Sequence, residues 1–149
     1  MTRDNLILTG CKNLTELNIV NCPLLESIDL TELDNLTKVK LDNCATLTEF
    51  KCERHTKLSS LELKNCKNLE TVKLTACKAL TTLDLSTGND WISEVDVSNI
   101  ETLTSISIPK KEEVEFSLNL SGCVKCSMVN SSESGVYDFD GMKIVALQL

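Results

Sequence analysis

Aromatic side chains are scarce: one Trp, one Tyr and three Phe in 149 residues, 3% of the chain. The core must therefore be built from Leu, Ile, Val and Cys. At 42% apolar residues there is enough material for one, which excludes wholesale disorder. Basic residues are not in excess either. A net charge of -7 argues against a nucleic-acid backbone or an anionic membrane surface as partner. The two short basic stretches, Lys38 with Lys40 and Lys110 with Lys111, are offset by nearby acids. No apolar run reaches transmembrane length, so membrane insertion is not expected. The first residues, Met1 to Leu6, lack the apolar segment of a signal peptide. A single histidine, His55, offers no Ser–His–Asp or Cys–His pair, and no enzyme is expected. Helical periodicity is sustained nowhere along the chain.

What the chain does have is an internal repeat. Aligned every eleven residues it reads Leu-x-Leu-x-x-Cys-x-x-Leu-x-x. The first position is filled by Leu6, Leu17, Ile28, Val39, Phe50, Leu61, Val72 and Leu83, then by Val95 and Ile106 after one extra residue near Gly88, Asn89 and Asp90. The third is filled by Leu8, Ile19, Leu30, Leu41, Cys52, Leu63, Leu74, Leu85, Val97 and Ile108. The ninth is Leu from Leu14 to Leu80, and again at Leu103. Each apolar-x-apolar triplet is a period-2 signal for a short strand, and the spacers rich in Asn, Asp, Thr and Gly read as bends.

One turn of the coil must contain two repeats. Eleven residues at ~3.3 Å each close a loop of roughly 36 Å, too small to enclose three leucines and a cysteine. A finer alternation agrees: Asn21-Cys22, Asn43-Cys44 and Asn65-Cys66 recur every twenty-two residues, while Gly10, Glu32, Arg54 and Ala76 occupy the intervening bends. Stacked about 4.8 Å apart, these asparagines are expected to form a ladder that satisfies bend amides. The expected fold is mainly β. It is a solenoid of 22-residue coils with two parallel sheets, little helix and slight curvature. One sheet takes the triplets at Leu6, Ile28, Phe50, Val72, Val95 and Leu118; the other takes those at Leu17, Val39, Leu61, Leu83 and Ile106. The whole chain, 1–149, reads as a single repeat domain, with regular repeats over 6–108.

This pattern resembles the leucine-rich-repeat family in its cysteine-bearing form, Leu-x-x-Leu-x-Leu-x-x-Cys. The nested eleven-residue period is similar to a subclass common in bacterial proteins. The resemblance implies a protein-protein interaction module. The alternative is a structural spacer domain of a larger cell-surface or virion protein.

After Ile108 the register breaks at Pro109 and resumes at Leu118-x-Leu120-x-x-Cys123. Asp140-Gly141 between two β-rich runs signals a hairpin, so 109–149 reads as a degenerate last coil with a C-terminal capping hairpin. No cap precedes Leu6. A fragment of a longer protein, or self-association through the uncapped N-terminal end, is expected on that ground.

Among candidate sites, Cys11, Cys22, Cys44, Cys66 and Cys77 share the sixth position with Leu33 and Ile100, which marks an inward apolar seat. Free thiols are expected, with no disulfide, no metal and no cofactor. Reduced thiols fit a cytoplasm or an anaerobic cell surface. Cys123 and Cys126 form a Cys-x-x-Cys whose members fall on the sixth and ninth positions of the register. His55 reads as a bend residue, partly buried or turned outward. A metal reading would need Cys52 and Cys77 to converge on it. Asp138-x-Asp140-Gly141 lacks the later ligands of a calcium loop and reads as a turn. Trp91 falls on a ninth position by register, though an exposed loop Trp would suit a binding surface. The binding residues expected on the exposed sheet face are Lys38, Lys40, Glu62, Lys64 and Asp84, with Trp91 beside them. Their partner would be a protein of unknown identity. Lys40 with Glu62 and Asp29 with Lys51 are expected as complementary cross-strand pairs.

Overall fold

The computed structural model describes residues 4–109, 115–126, 128–131 and 143–148. A strand forms at each apolar-x-apolar triplet, ending on its first residue at Leu6 and Ile28, because alternate side chains turn inward to the Leu columns and the others turn to solvent. In chain order the strands are β1 (Asp4–Leu6), β2 (Glu16–Val20), β3 (Leu25–Ile28), β4 (Lys38–Asp42), β5 (Glu49–Lys51), β6 (Ser60–Lys64) and β7 (Thr71–Lys73). They continue with β8 (Thr82–Asp84), β9 (Glu94–Asp96), β10 (Ser105–Ile108), β11 (Glu115–Asn119), β12 (Met128–Ser131) and β13 (Lys143–Gln148). No helix occurs among the described residues.

Even-numbered strands form one parallel sheet, in the order β12-β10-β8-β6-β4-β2. The odd-numbered ones form β13-β11-β9-β7-β5 and a separate pair, β1-β3. Residues twenty-two apart stand opposite one another: Leu17 on Val39, Val39 on Leu61, Phe50 on Val72. Past the extra residue the step is twenty-three, as in Leu83 on Ile106 and Val72 on Val95. The chain is a β-solenoid of roughly 22-residue coils. Between its two sheets lies one core, with Leu36, Leu47, Leu58, Leu69, Leu80 and Leu103 fully buried.

The odd-numbered face is interrupted. β3 begins at Leu25, ahead of its triplet, and shares no sheet with β5. Side chains of the next coil occupy the carbonyls flanking it. Thr46 donates to Leu25 O at 2.8 Å and His55 Nε2 lies 2.9 Å from Leu30 O. The expected Asp29–Lys51 pair is therefore absent. Asp29 accepts the Thr31 amide at 2.9 Å, and Lys51 pairs with Glu53 at 3.7 Å. A cleft of about 250 Å³ remains there, lined by Ile28, Leu30, Lys51 and Glu53 among others.

The fifth position of every described bend is left-handed. Gly10, Asn21, Glu32, Asn43, Arg54, Asn65, Ala76, Gly88, Asn99 and Gly122 all have positive φ. This corrects the reason for the asparagines. Asn tolerates the left-handed region better than other side-chain-bearing residues. The bend amides are satisfied by backbone carbonyls of the next coil: Asn21 by Asp42, Asn43 by Lys64, Asn65 by Thr87. The ladder itself runs side chain to side chain, from Asn43 Nδ2 to Asn21 Oδ1 at 3.0 Å and from Asn65 Nδ2 to Asp42 Oδ1 at 2.9 Å.

The extra residue also lies earlier than the spacing suggests. Gly88 takes the left-handed fifth position, where a Cβ would collide with Asn65 Oδ1 and stand 2.8 Å from Asn65 Cα, so only glycine fits beneath it. Asn89 then takes the cysteine seat and Ile92 the leucine seat, both fully buried. Trp91, expected by register at that seat, is 66% exposed instead.

The C-terminal strands continue the coil. β13 pairs in parallel with β11, as the next rung of the odd-numbered face, and β12 pairs in parallel with β10. Among the described residues, β13 is thus a further rung of the solenoid. The Asp138, Asp140 and Gly141 turn lies outside the described residues, as does the other expected arm.

Candidate interaction face

Parallel pairing at a fixed register turns the outward positions into columns that cross the strands. On the even-numbered face, Lys40 of β4, Glu62 of β6 and Asp84 of β8 stand in one column. Lys38 stands over Ser60, and Asp42 over Lys64. Five of the six expected binding residues are thus brought onto adjacent strands of one face.

Glu62 is the hub of that cluster. Its carboxylate lies 2.5 Å from Lys64 Nζ and 3.9 Å from Lys40 Nζ. The Lys64 hydrogen bond holds the Glu62 carboxyl below the usual carboxylate range, and the same bond raises the Lys64 ammonium. All three side chains are about one-third to two-fifths exposed, so the ion pairs contribute little to stability. Their effect is to hold charged groups in fixed positions on a rigid sheet. Asp84, directly opposite Glu62, carries a like charge. Ser86 takes it up, donating from its amide at 2.9 Å and its hydroxyl at 2.5 Å to Asp84 Oδ1.

Trp91 does not share this face. It projects from the bend between β8 and β9, at the edge where the two sheets meet. Asn89, two residues before it, has no counterpart in the sequence reading. Its Nδ2 donates to Leu63 O at 2.7 Å and Leu85 O at 3.0 Å, and its Oδ1 accepts the Cys66 amide at 3.0 Å. A polar residue in a column otherwise filled by cysteine was the signal that could have marked it.

The sulfurs and the imidazole fall into two groups. On the bends that leave β2, β4 and β6, each thiol faces its own coil: Cys22 to Val20 O at 3.7 Å, Cys44 to Asp42 O at 4.0 Å, Cys66 to Lys64 O at 3.4 Å. On the opposite side the bend side chains reach back to the preceding coil. Cys77 Sγ lies 2.9 Å from Cys52 O and Cys123 Sγ lies 2.9 Å from Val97 O. His55, 5% exposed, sits in the same column. Its Nε2 faces Leu30 O and its Nδ1 faces Glu53 O, each at 2.9 Å. A neutral ring can donate to only one of them at a time.

Burial pushes the Cys44 and Cys123 thiols up, and takes Cys66 to about 11. Cys11, in the first coil, is exposed. Cys123 and Cys126 occupy the sixth and ninth positions and are half-buried, as the register requires. Among the described residues, no three His, Cys, Asp or Glu side chains cluster as a metal site, and no helix is long and apolar enough to cross a membrane. No known protein family, curated protein or solved structure matches the chain.

Proposed function

We propose that this chain is a non-enzymatic binding module of the leucine-rich-repeat kind. Its partner is a protein docked on the outer face of the even-numbered sheet. The observation that carries this reading is the Lys40–Glu62–Lys64 cluster, charged groups of both signs preset on a flat, rigid ladder. Preset charges steer encounter and fix register more than they add affinity. Trp91, exposed on the bend between β8 and β9, is the kind of large aromatic side chain that interfaces favour, though it stands off that face.

The test is capture of partners from the source cell on the immobilised full chain. Reversing Lys40, Glu62 and Lys64 together should abolish capture of a specific protein. Reversing Lys51 and Lys73, on the other face, should leave it intact. Equal capture by both variants would favour the spacer reading, in which neither face is selected for contact.

A second contact is supported by the first coil. Leu6, Leu8, Leu14 and Leu17 are only partly buried there, and β2 is an edge strand of its sheet. Exposed strand edges invite pairing with a second chain. Self-association through this end predicts a mass that rises with concentration in light scattering, and loss of that rise when Leu14 and Leu17 are replaced by Lys.

A further inference from the structure

Sequence columns put Cys52 and Cys77 in different places: one on a strand, one in a bend of the following coil. Folding brings them together. β5 ends at Lys51, so the Cys52 carbonyl lies just past the strand end, and the Cys77 thiol, 25 residues on, reaches back to it at 2.9 Å. Both residues are buried in the same core, 1% and 0% exposed. Cys123 makes the same reach over Val97, a residue with no thiol, and Cys22, Cys44 and Cys66 turn to their own coils. Among the described residues, this is the one reach of a bend thiol back to the carbonyl of another cysteine.

We propose that Cys52 and Cys77 are an oxidation site, a dithiol that a peroxide closes into a disulfide across two coils. Interaction between the two side chains lowers the Cys77 thiol and, together with burial, raises that of Cys52. Cys77 is thus the first to ionise and the attacking sulfur, since the thiolate is the nucleophile. Its sulfur takes one oxygen of the peroxide as the O–O bond breaks. The departing hydroxide takes up the proton lost by the Cys77 thiol and leaves as water. Cys77 is then a sulfenic acid. The Cys52 sulfur attacks it, the S–S bond forms and the S–O bond breaks. The Cys52 proton leaves with the released hydroxide as a second water. Two thiols have lost two electrons and the peroxide has gained them. A small oxidant suits a site with no exposed sulfur. The second sulfur is already in place, so the sulfenic acid is resolved before it oxidises further. The product ties one coil to the next, and in a solenoid, where each coil leans only on its neighbours, that joint can no longer open.

The experiment uses the full reduced chain carrying Cys11→Ser, which removes the exposed thiol. After mild hydrogen peroxide, alkylation of the unfolded product should find two fewer free thiols. The intact mass should fall by two hydrogens, and peptide mapping should join Cys52 to Cys77. The Cys52→Val variant should show no loss of two hydrogens and should trap a sulfenic acid at Cys77, labelled by a dimedone-type probe. Peptide mapping of the parent chain needs no variant to fold. A disulfide between any other two cysteines, or stepwise over-oxidation of Cys52 and Cys77 without a bond between them, would overturn the assignment.

Discussion

On the bends that leave the even-numbered sheet, the left-handed position holds Asn21, Asn43, Asn65 and Gly88. On the bends of the opposite side it holds Glu32, Arg54 and Ala76 before returning to Asn99 and Gly122. The bend side chains differ in the same way. Thiols on the first side make long contacts of 3.4–4.0 Å within their own coil. Those on the second side make contacts of 2.9 Å to the coil before. Strand length explains the difference. β2, β4 and β6 each run five residues, through the third motif position, so carbonyls there enter the ladder. β5, β7 and β9 run three residues and stop one short; after β7 the Leu74 carbonyl takes the Cys77 amide of its own coil, while the Cys52 and Val97 carbonyls are left outside the ladder. A buried carbonyl needs a donor, and the bend of the next coil supplies one. The exception obeys the same rule. β8 is only three residues long and pairs with β6 only at Glu62 and Asp84. Leu63 O and Leu85 O are both left over there, and Asn89 takes both.

The largest effect expected from this comparison is therefore at Asn89. Asn89→Ala strands two carbonyls and the Cys66 amide in the core, each worth about 1–3 kcal/mol. A loss of about 3–5 kcal/mol in denaturant unfolding is expected. Cys44→Ala, which breaks only a 4.0 Å contact, should lose clearly less. If the two variants lose the same, the carbonyl account is wrong.

The alkaline limb comes next. Folded Cys66 holds its proton up to about 11, above the ordinary thiol value near 8.5. Between those values the folded chain binds more protons than the unfolded one, so stability is full below the window and falls as pH rises through it. About 3 kcal/mol is expected to go across that span at 1.36 kcal/mol per unit. Cys66→Ala should flatten the slope in urea titrations run at successive pH values.

On the other side, His55→Leu should cost about 0.5–1.5 kcal/mol, the net worth of one hydrogen bond, because Leu30 O keeps the Leu33 amide. His55→Cys restores the column's usual donor and should recover most of that loss in thermal unfolding. Ala76→Gly and Arg54→Gly should each stabilise by roughly 1 kcal/mol, because a Cβ is strained at positive φ. Asn43→Gly should gain nothing, since it gives up the bond to Asn21. The smallest change is on the sheet face. Asp84→Asn removes the like charge beside Glu62 while keeping an oxygen for Ser86, and should add about 0.2–1 kcal/mol.

The coil was legible from residues such as Leu17, Val39 and Leu61. Period 2 within each triplet and period eleven between triplets leave one way to bury every leucine. The Lys40–Glu62 pair followed from the same arithmetic. Trp91 was misplaced because counting shows that one residue is extra but not where it is absorbed. Only the demand of Gly88 for a left-handed bend beneath Asn65 locates it. Asp29 and Lys51 failed to pair because β3 starts early, a shift set by hydrogen bonds from Thr46 and His55 that no column alignment contains. The meeting of Cys52 with Cys77 was hidden for a related reason. Columns assume that each side chain stays over its own seat, whereas a thiol reaching for a leftover carbonyl crosses to the next.

All of this rests on two strands per coil, and a pair of cysteine placements reads that out directly. In a Cys11→Ser background, Lys40→Cys with Glu62→Cys puts two outward thiols on adjacent strands, about 4.8 Å apart at the backbone. Lys40→Cys with Lys51→Cys puts them on opposite sheets. A short bifunctional thiol reagent should join the first pair within the chain and fail to join the second. Cross-linking of residues eleven apart, with none at twenty-two, would contradict the account.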